Sequence, residues 1–240
     1  MARILIQKDR EAAFWLYMIL GALFIASLIT CNLIFRKFFF WEPFQGEESG
    51  SWTYVFEQSV GLLPYPITFL ITDLISEIFG RKKANQIVIA GLAASLFVLV
   101  IVTIAGAVPA TSWSPVSDEQ FYHVFGQTIL AIGSSMIAYL FAQFIDIRIF
   151  HYWKRVTKGK HLWIRNNFST ITSQFVDTLT ILLLLCSSGT IAWEMFTVLL
   201  VNGFIFKVIV ALLDTPVFYL TTYCVRRRFK LEMGEEIQLI

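Results

Sequence analysis

Five ionisable side chains stand inside stretches that are otherwise apolar: Asp73, Asp146, Asp177, Lys207 and Asp214. In hydrocarbon each costs about 2.5–3.5 kcal/mol on insertion scales, so such groups must face one another, polar partners or water. Helical spacing lets them do so. Asp73 and Glu77 are four residues apart, Gln143 and Asp146 three, and Ser173, Gln174 and Asp177 form one stripe. Lys207 and Asp214 are seven apart along one face, and Asn32 lies four residues before Arg36. Carboxylates accept hydrogen bonds, an ammonium donates them, and amides do both. A guanine-like ring presents two adjacent donors beside one carbonyl. One Asp can take both donors while Lys207, Asn or Gln serves the carbonyl, and Phe and Trp supply stacking faces. An organic cation or a pterin-like edge satisfies the same groups. The candidate binding residues are therefore Asp177, Lys207, Asp146, Gln143, Gln174, Asp73 and Asn32. The competing reading is structural: buried polar pairs that fix helix register. For Glu77 and Asp214 both readings stay open.

The elements that must position these groups are membrane spans. Hydrophobic residues make up 57% of the 240 and charged residues 15%, against about a quarter in ordinary soluble domains. A soluble core of this size cannot hide that much apolar surface. A span needs about 20 mostly apolar residues. Six segments qualify, at 12–35, 61–79, 87–108, 124–147, 166–189 and 193–225. The expected fold is an all-α integral membrane protein of six helices in one domain over residues 1–240. The third segment carries no polar stripe and reads as a lipid-facing or packing helix. Pro64 and Pro66 mark an irregular start to the second, and Pro216 is expected to kink the sixth. The N-terminal apolar run has no cleavage site behind it and reads as a retained first span.

Basic residues sort by side. Arg3, Lys8 and Arg10 precede the first span; Arg81, Lys82 and Lys83 follow the second. Lys154, Arg155, Lys158, Lys160 and Arg165 separate the fourth from the fifth, and Arg226, Arg227, Arg228 and Lys230 follow the sixth. The segments at 109–123 and 186–193 have none, and 36–60 has only Arg36 and Lys37 beside four glutamates. The positive-inside rule then puts both termini in the cytoplasm.

Several function classes are disfavoured. The net charge of +2 is too small for a nucleic-acid binder. Cys31, Cys186 and Cys224 form no CxxC or Cys/His pattern, so neither a metal site nor a disulfide framework is indicated, and the cysteines read as inert packing away from the central stripes. His123, His151 and His161 fall in loops or at span ends, and neither HExxH nor GxSxG occurs, which argues against an intramembrane enzyme. Mixed charge signs argue against an ion-selective ring. No GxxxxGK[ST] occurs, so the chain cannot use ATP by itself.

Five segments carry a resemblance. ITFLITDLISEIFGRKKA (67–84) resembles the TD-x-x-x-E-x-x-G-x-x-x-A signature of the queuosine precursor transporters, earlier grouped as vitamin uptake transporters. LWIRNNFSTITSQFVDT (162–178) resembles the family's R-N-N…S-T…S-Q…D-T stretch, and AQFIDIRIF (142–150) its G/A-Q-x-x-D element. TCNLIFRK (30–37) is similar to its first-span Asn and basic residue, and FKVIVALLDTPVFY (206–219) to its K…TP…Y closing helix. The matches run in order over about residues 14–220; the loop at 41–58 matches nothing in the pattern. The resemblance implies six helices in the cytoplasmic (inner) membrane and uptake of 7-cyano-7-deazaguanine, 7-aminomethyl-7-deazaguanine or queuine, with no cofactor and no catalysis. The expected partners are a deazapurine solute and the lipid bilayer; a homodimer stays open. The alternative is a vitamin-binding membrane subunit of a multi-component ATP-driven importer.

Overall fold

The computed structural model describes residues 2–3, 7–35, 37–41, 56–126, 129–158, 160–189, 191–232 and 234–239. Six long helices run back and forth. They are α1 (Gln7–Ile34), α2 (Tyr65–Ile78), α3 (Arg81–Ala107), α5 (Ile129–Val156), α6 (Leu162–Ser187) and α7 (Phe196–Phe229). A short α4 (Asp118–Phe125) stands between α3 and α5, opened by a capping box between Ser117 and Gln120. Two small β pieces add to the helical plan. β1 (Ala2–Arg3) pairs in parallel with β4 (Glu236–Ile237), which brings the two termini to one end of the bundle. β2 (Phe38–Trp41) and β3 (Phe56–Ser59) pair antiparallel at the other end. Much of the 41–58 loop, and Arg36, lie outside the described residues.

Five helical segments are long and apolar enough to cross a membrane among the described residues: Lys8–Ile34, Val60–Ile78, Arg81–Ala107, Leu162–Ser187 and Trp193–Phe229. The helices overrun the apolar segments at several charged ends. α3 already starts at Arg81, α5 continues through Lys154 and Arg155, and α7 runs on to Phe229. Hydropathy marks only the part of a helix that lipid must cover, whereas Lys and Arg are good helix formers and can extend it into the interface. Glu194 falls outside α7, in a single 3-10 turn at Trp193–Met195. α7 runs through Pro216 as one helix.

The order of burial is uneven, and it explains the geometry. α2 packs against α1, α3, α5 and α7, and every residue from Ile71 to Gly80 is buried. It is stopped by Gly80, whose φ of +81° suits a residue without Cβ. α3 is the opposite case. Ile89, Phe97, Val100 and Ile104 are exposed, an apolar face turned away from the bundle. Its inner face lies close to α1. A Cβ on Gly91 would stand 2.6 Å from a ring carbon of Phe24, so the small residue sets the helix spacing.

Candidate functional site

One face of α6 organises the polar interior. Thr170, Ser173, Gln174, Asp177 and Thr178 are all buried, at the three- and four-residue spacing that stacks side chains along a helix. They meet neighbours in two layers. The rise from Thr170 to Asp177 is about 10 Å at the α-helical pitch.

In the first layer Lys207 of α7 meets α6. Its Nζ donates to Asp177 Oδ2 at 2.6 Å and to Thr178 Oγ1 at 2.9 Å, and lies 4.8 Å from the centre of the Tyr65 ring. Both charged side chains are about 95% buried. Asp177 lies about 15 Å from the end of α6 and Lys207 about 17 Å from the start of α7, so the pair sits roughly half-way through a bilayer core. Beside it lies a cavity of about 260 Å³. The cavity extends from this pair to Phe35, Gln58 and Ile191, at the end of the bundle opposite the termini. Aliphatic side chains such as Leu28, Leu92 and Leu182 share its wall with polar and aromatic ones, among them Asn32, Ser95, Tyr65 and Tyr139. The two tyrosine rings meet edge to face at 5.8 Å.

In the second layer, nearer the termini, α2 and α5 each present an aspartate to α6. Asp73 Oδ2 accepts from Thr170 Oγ1 at 3.2 Å, and Asp146 Oδ1 accepts from Ser173 Oγ at 2.9 Å. Thr72 donates to Gln143 Oε1 at 3.1 Å. A pocket of about 10 Å³, room for about one water, is lined by Asp73, Gln174, Lys207 and Asp214 among others. Beyond this layer, at the terminal end, Glu77 is paired with Arg226 of α7 and, at 3.6 Å, with Lys154 of α5. Lys154 also reaches Glu236 of β4 at 2.9 Å.

The seven candidate binding residues therefore divide. Asn32, Asp177 and Lys207 line the large cavity; Asp73, Gln143, Asp146 and Gln174 do not, and are buried in the layer behind it. Glu77 pairs with Lys154 and Arg226 rather than with the adjacent basic run 81–83. α3 shows no polar stripe, and brings the single Ser95 to the cavity wall. One expectation needs correcting. Cys31, read as lying away from the polar interior, lines the cavity one residue before Asn32. The ring nearest the lysine is that of Tyr65, and Phe35 also lines the cavity. Tyr65 stands between two prolines, a flag of irregular backbone that carried no hint of a ring beneath a lysine. Tyr139, four residues before Gln143 on α5, shares the face of the amide, so helical spacing could have found it.

Helices long and apolar enough to cross a membrane, exposing apolar faces around a bundle that holds a cavity and buried charges, are those of a multi-pass membrane protein. The family described as "Putative vitamin uptake transporter" matches residues 59–221, and the chain belongs to that family. The match covers every candidate residue except Asn32. The chain is also 25% identical over 162 residues to a protein of Bacillus subtilis (strain 168) described as "Probable queuosine precursor transporter", spanning 67% of this chain and 70% of that relative. No solved structure matches. Membership in a transporter family points away from an enzyme.

Proposed function

We propose that this protein imports a 7-deazaguanine precursor of queuosine: 7-cyano-7-deazaguanine, 7-aminomethyl-7-deazaguanine or queuine. The observation that carries the reading is the Asp177–Lys207 pair at the deep end of the cavity, beside Tyr65. The two charges neutralise each other while the site is empty. On binding, Asp177 turns to the ring N–H and exocyclic amino group, and Lys207 meets the carbonyl. Both charges stay partnered throughout, which limits the desolvation cost of an uncompensated ion. Tyr65 and Tyr139 offer faces for a planar base, and Asn32 a further donor and acceptor. The name of the Bacillus subtilis relative and the five sequence segments support this solute over other planar vitamins.

The reading includes six spans, with α5 as the sixth beside the five segments above, and both termini in the cytoplasm of a cell whose inner membrane holds the protein. The basic runs near the termini and between α2 and α3 support that orientation. The large cavity then faces outward, and the Glu77 cluster closes the cytoplasmic side. Labelled queuine and its two precursors, offered to cells that cannot make queuosine and express only this chain, test the function. Uptake of at least one is expected without a partner ATPase; a requirement for such a partner would move the chain to the multi-component importers. Terminal reporter fusions active only on the outer face would overturn the orientation.

A further inference from the structure

Asp73 and Asp146 are not explained by solute binding. They come from different helices, α2 and α5, are both fully buried, and are held side by side by α6 hydroxyls three residues apart, which leaves their carboxyl groups to interact with each other. Each has one oxygen held by an α6 hydroxyl. The other oxygens, Asp73 Oδ1 and Asp146 Oδ2, meet no donor among the described residues. Two buried carboxylates in contact cannot both stay ionised; one proton between them turns repulsion into a hydrogen bond. A third buried group points to the same conclusion. Gln174, 2% exposed, lines the small pocket beside Asp73, and its Oε1 also has no donor among the described residues.

Among the described residues no Lys or Arg forms an ion pair with Asp73 or Asp146. On α5, Arg148, two residues from Asp146, is exposed. On α2, Glu77 one turn away is already matched by Arg226 and Lys154. On α6, Asp177, one turn from Ser173, is held by Lys207. α7 brings Lys207 and Asp214 to the small pocket. Lys207 is the one residue, among those described, that lines both the small pocket and the large cavity. A proton entering by the large cavity thus has a way to Asp73 through the pocket behind Lys207.

We propose that Asp73 and Asp146 form a proton site that carries one proton inward with each solute molecule. With the proton present, α2, α5 and α6 are held together beneath the solute site. Its release toward the terminal end leaves two like charges in contact, which drives α2 from α5 and loosens that end for the solute to leave. This coupling rests on the import reading above, and the experiment separates the two.

The full chain, purified and placed in phosphatidylethanolamine–phosphatidylglycerol liposomes, is assayed with labelled queuine in two ways. Exchange against internal unlabelled queuine at equal pH needs no proton flux. Net accumulation is then measured with the interior about one pH unit more alkaline, where one proton per solute allows at most about tenfold concentration. Wild type should exchange, and should accumulate several-fold in a manner abolished by a protonophore. In Asp146→Asn, accumulation should fall to the level reached without a gradient, relative to its own exchange rate. Asp73→Asn serves if that variant does not fold. Exchange by wild type without gradient-driven accumulation would overturn the proton site and leave the solute reading intact. No exchange of queuine or its precursors would overturn the solute reading instead. A third measurement needs no solute. Infrared spectra of the lipid-embedded protein at neutral pH should show a protonated carboxyl band that is missing from Asp73→Asn/Asp146→Asn; an unchanged band would overturn the proton site.

Discussion

Two buried carboxylates in this bundle each face a cation, and they differ in what lies beside them. Asp177 has one charged partner, Lys207, and that pair borders a cavity. Among the described residues Glu77 meets both Arg226 and Lys154, drawn from two other helices, and Lys154 extends the cluster to the C-terminal strand. A carboxylate tied to several elements with no space beside it is a clamp: movement of any one helix breaks a charged contact. A carboxylate with a single partner and open volume next to it can change partners without stranding either charge. Charge inside the membrane thus marks importance of two kinds, and neighbouring volume separates them.

The largest expected effect tests the cavity side. Asp177→Asn leaves Lys207 buried without its anion, a defect of about 3–5 kcal/mol in comparable pairs, and uptake should be lost. The double variant Asp177→Asn/Lys207→Gln removes both charges. It should regain much of the thermal stability lost in the single variant while uptake stays absent. Recovery of uptake in the double variant would make this pair a clamp as well, and the comparison would collapse.

Glu77→Gln comes next and probes the other region. It leaves Arg226 and Lys154 without their shared anion, though both reach the membrane edge and Lys154 keeps Glu236. The thermal midpoint in detergent should drop by several degrees, at about 2–4 °C per kcal/mol for a chain of this size. Uptake should fall less than in Asp177→Asn. The reverse ranking would place Glu77 in the solute path.

A smaller effect is expected at Tyr65. Tyr65→Ala removes the ring beneath Lys207, a contact of about 1 kcal/mol, and should raise the half-saturation concentration of uptake about fivefold. Tyr65→Phe keeps the ring and should stay close to wild type. Equal losses in both variants would transfer the role to the hydroxyl. The smallest effect is at Cys224, exposed on α7 and outside the cavity. Cys224→Ser should leave uptake and stability unchanged, whereas bulky thiol reagents at Cys31, in the cavity wall, should block uptake if they reach it.

Much of this architecture was legible in the chain alone. Long apolar runs fix where helices must form, since every backbone group in lipid has to be satisfied within its own segment. Charges inside those runs must turn inward, so Asp73, Asp146, Asp177 and Lys207 were marked before any contact was known. Periodicity also placed Ser173, Gln174 and Asp177 on one face, because it depends only on the pitch of the helix. What periodicity cannot supply is the depth and angle at which helices cross. Those decided that Glu77 meets Arg226 149 residues away, and that Asp73 and Asp146 lie behind the cavity rather than in its wall. They also decided that Tyr65, Cys31 and Ser95, which carry no charge to announce them, form the wall. An ion buried in lipid must find a partner whatever the fold, so its need is written in the sequence; the identity of the partner, and the empty volume beside it, depend on how the helices pack.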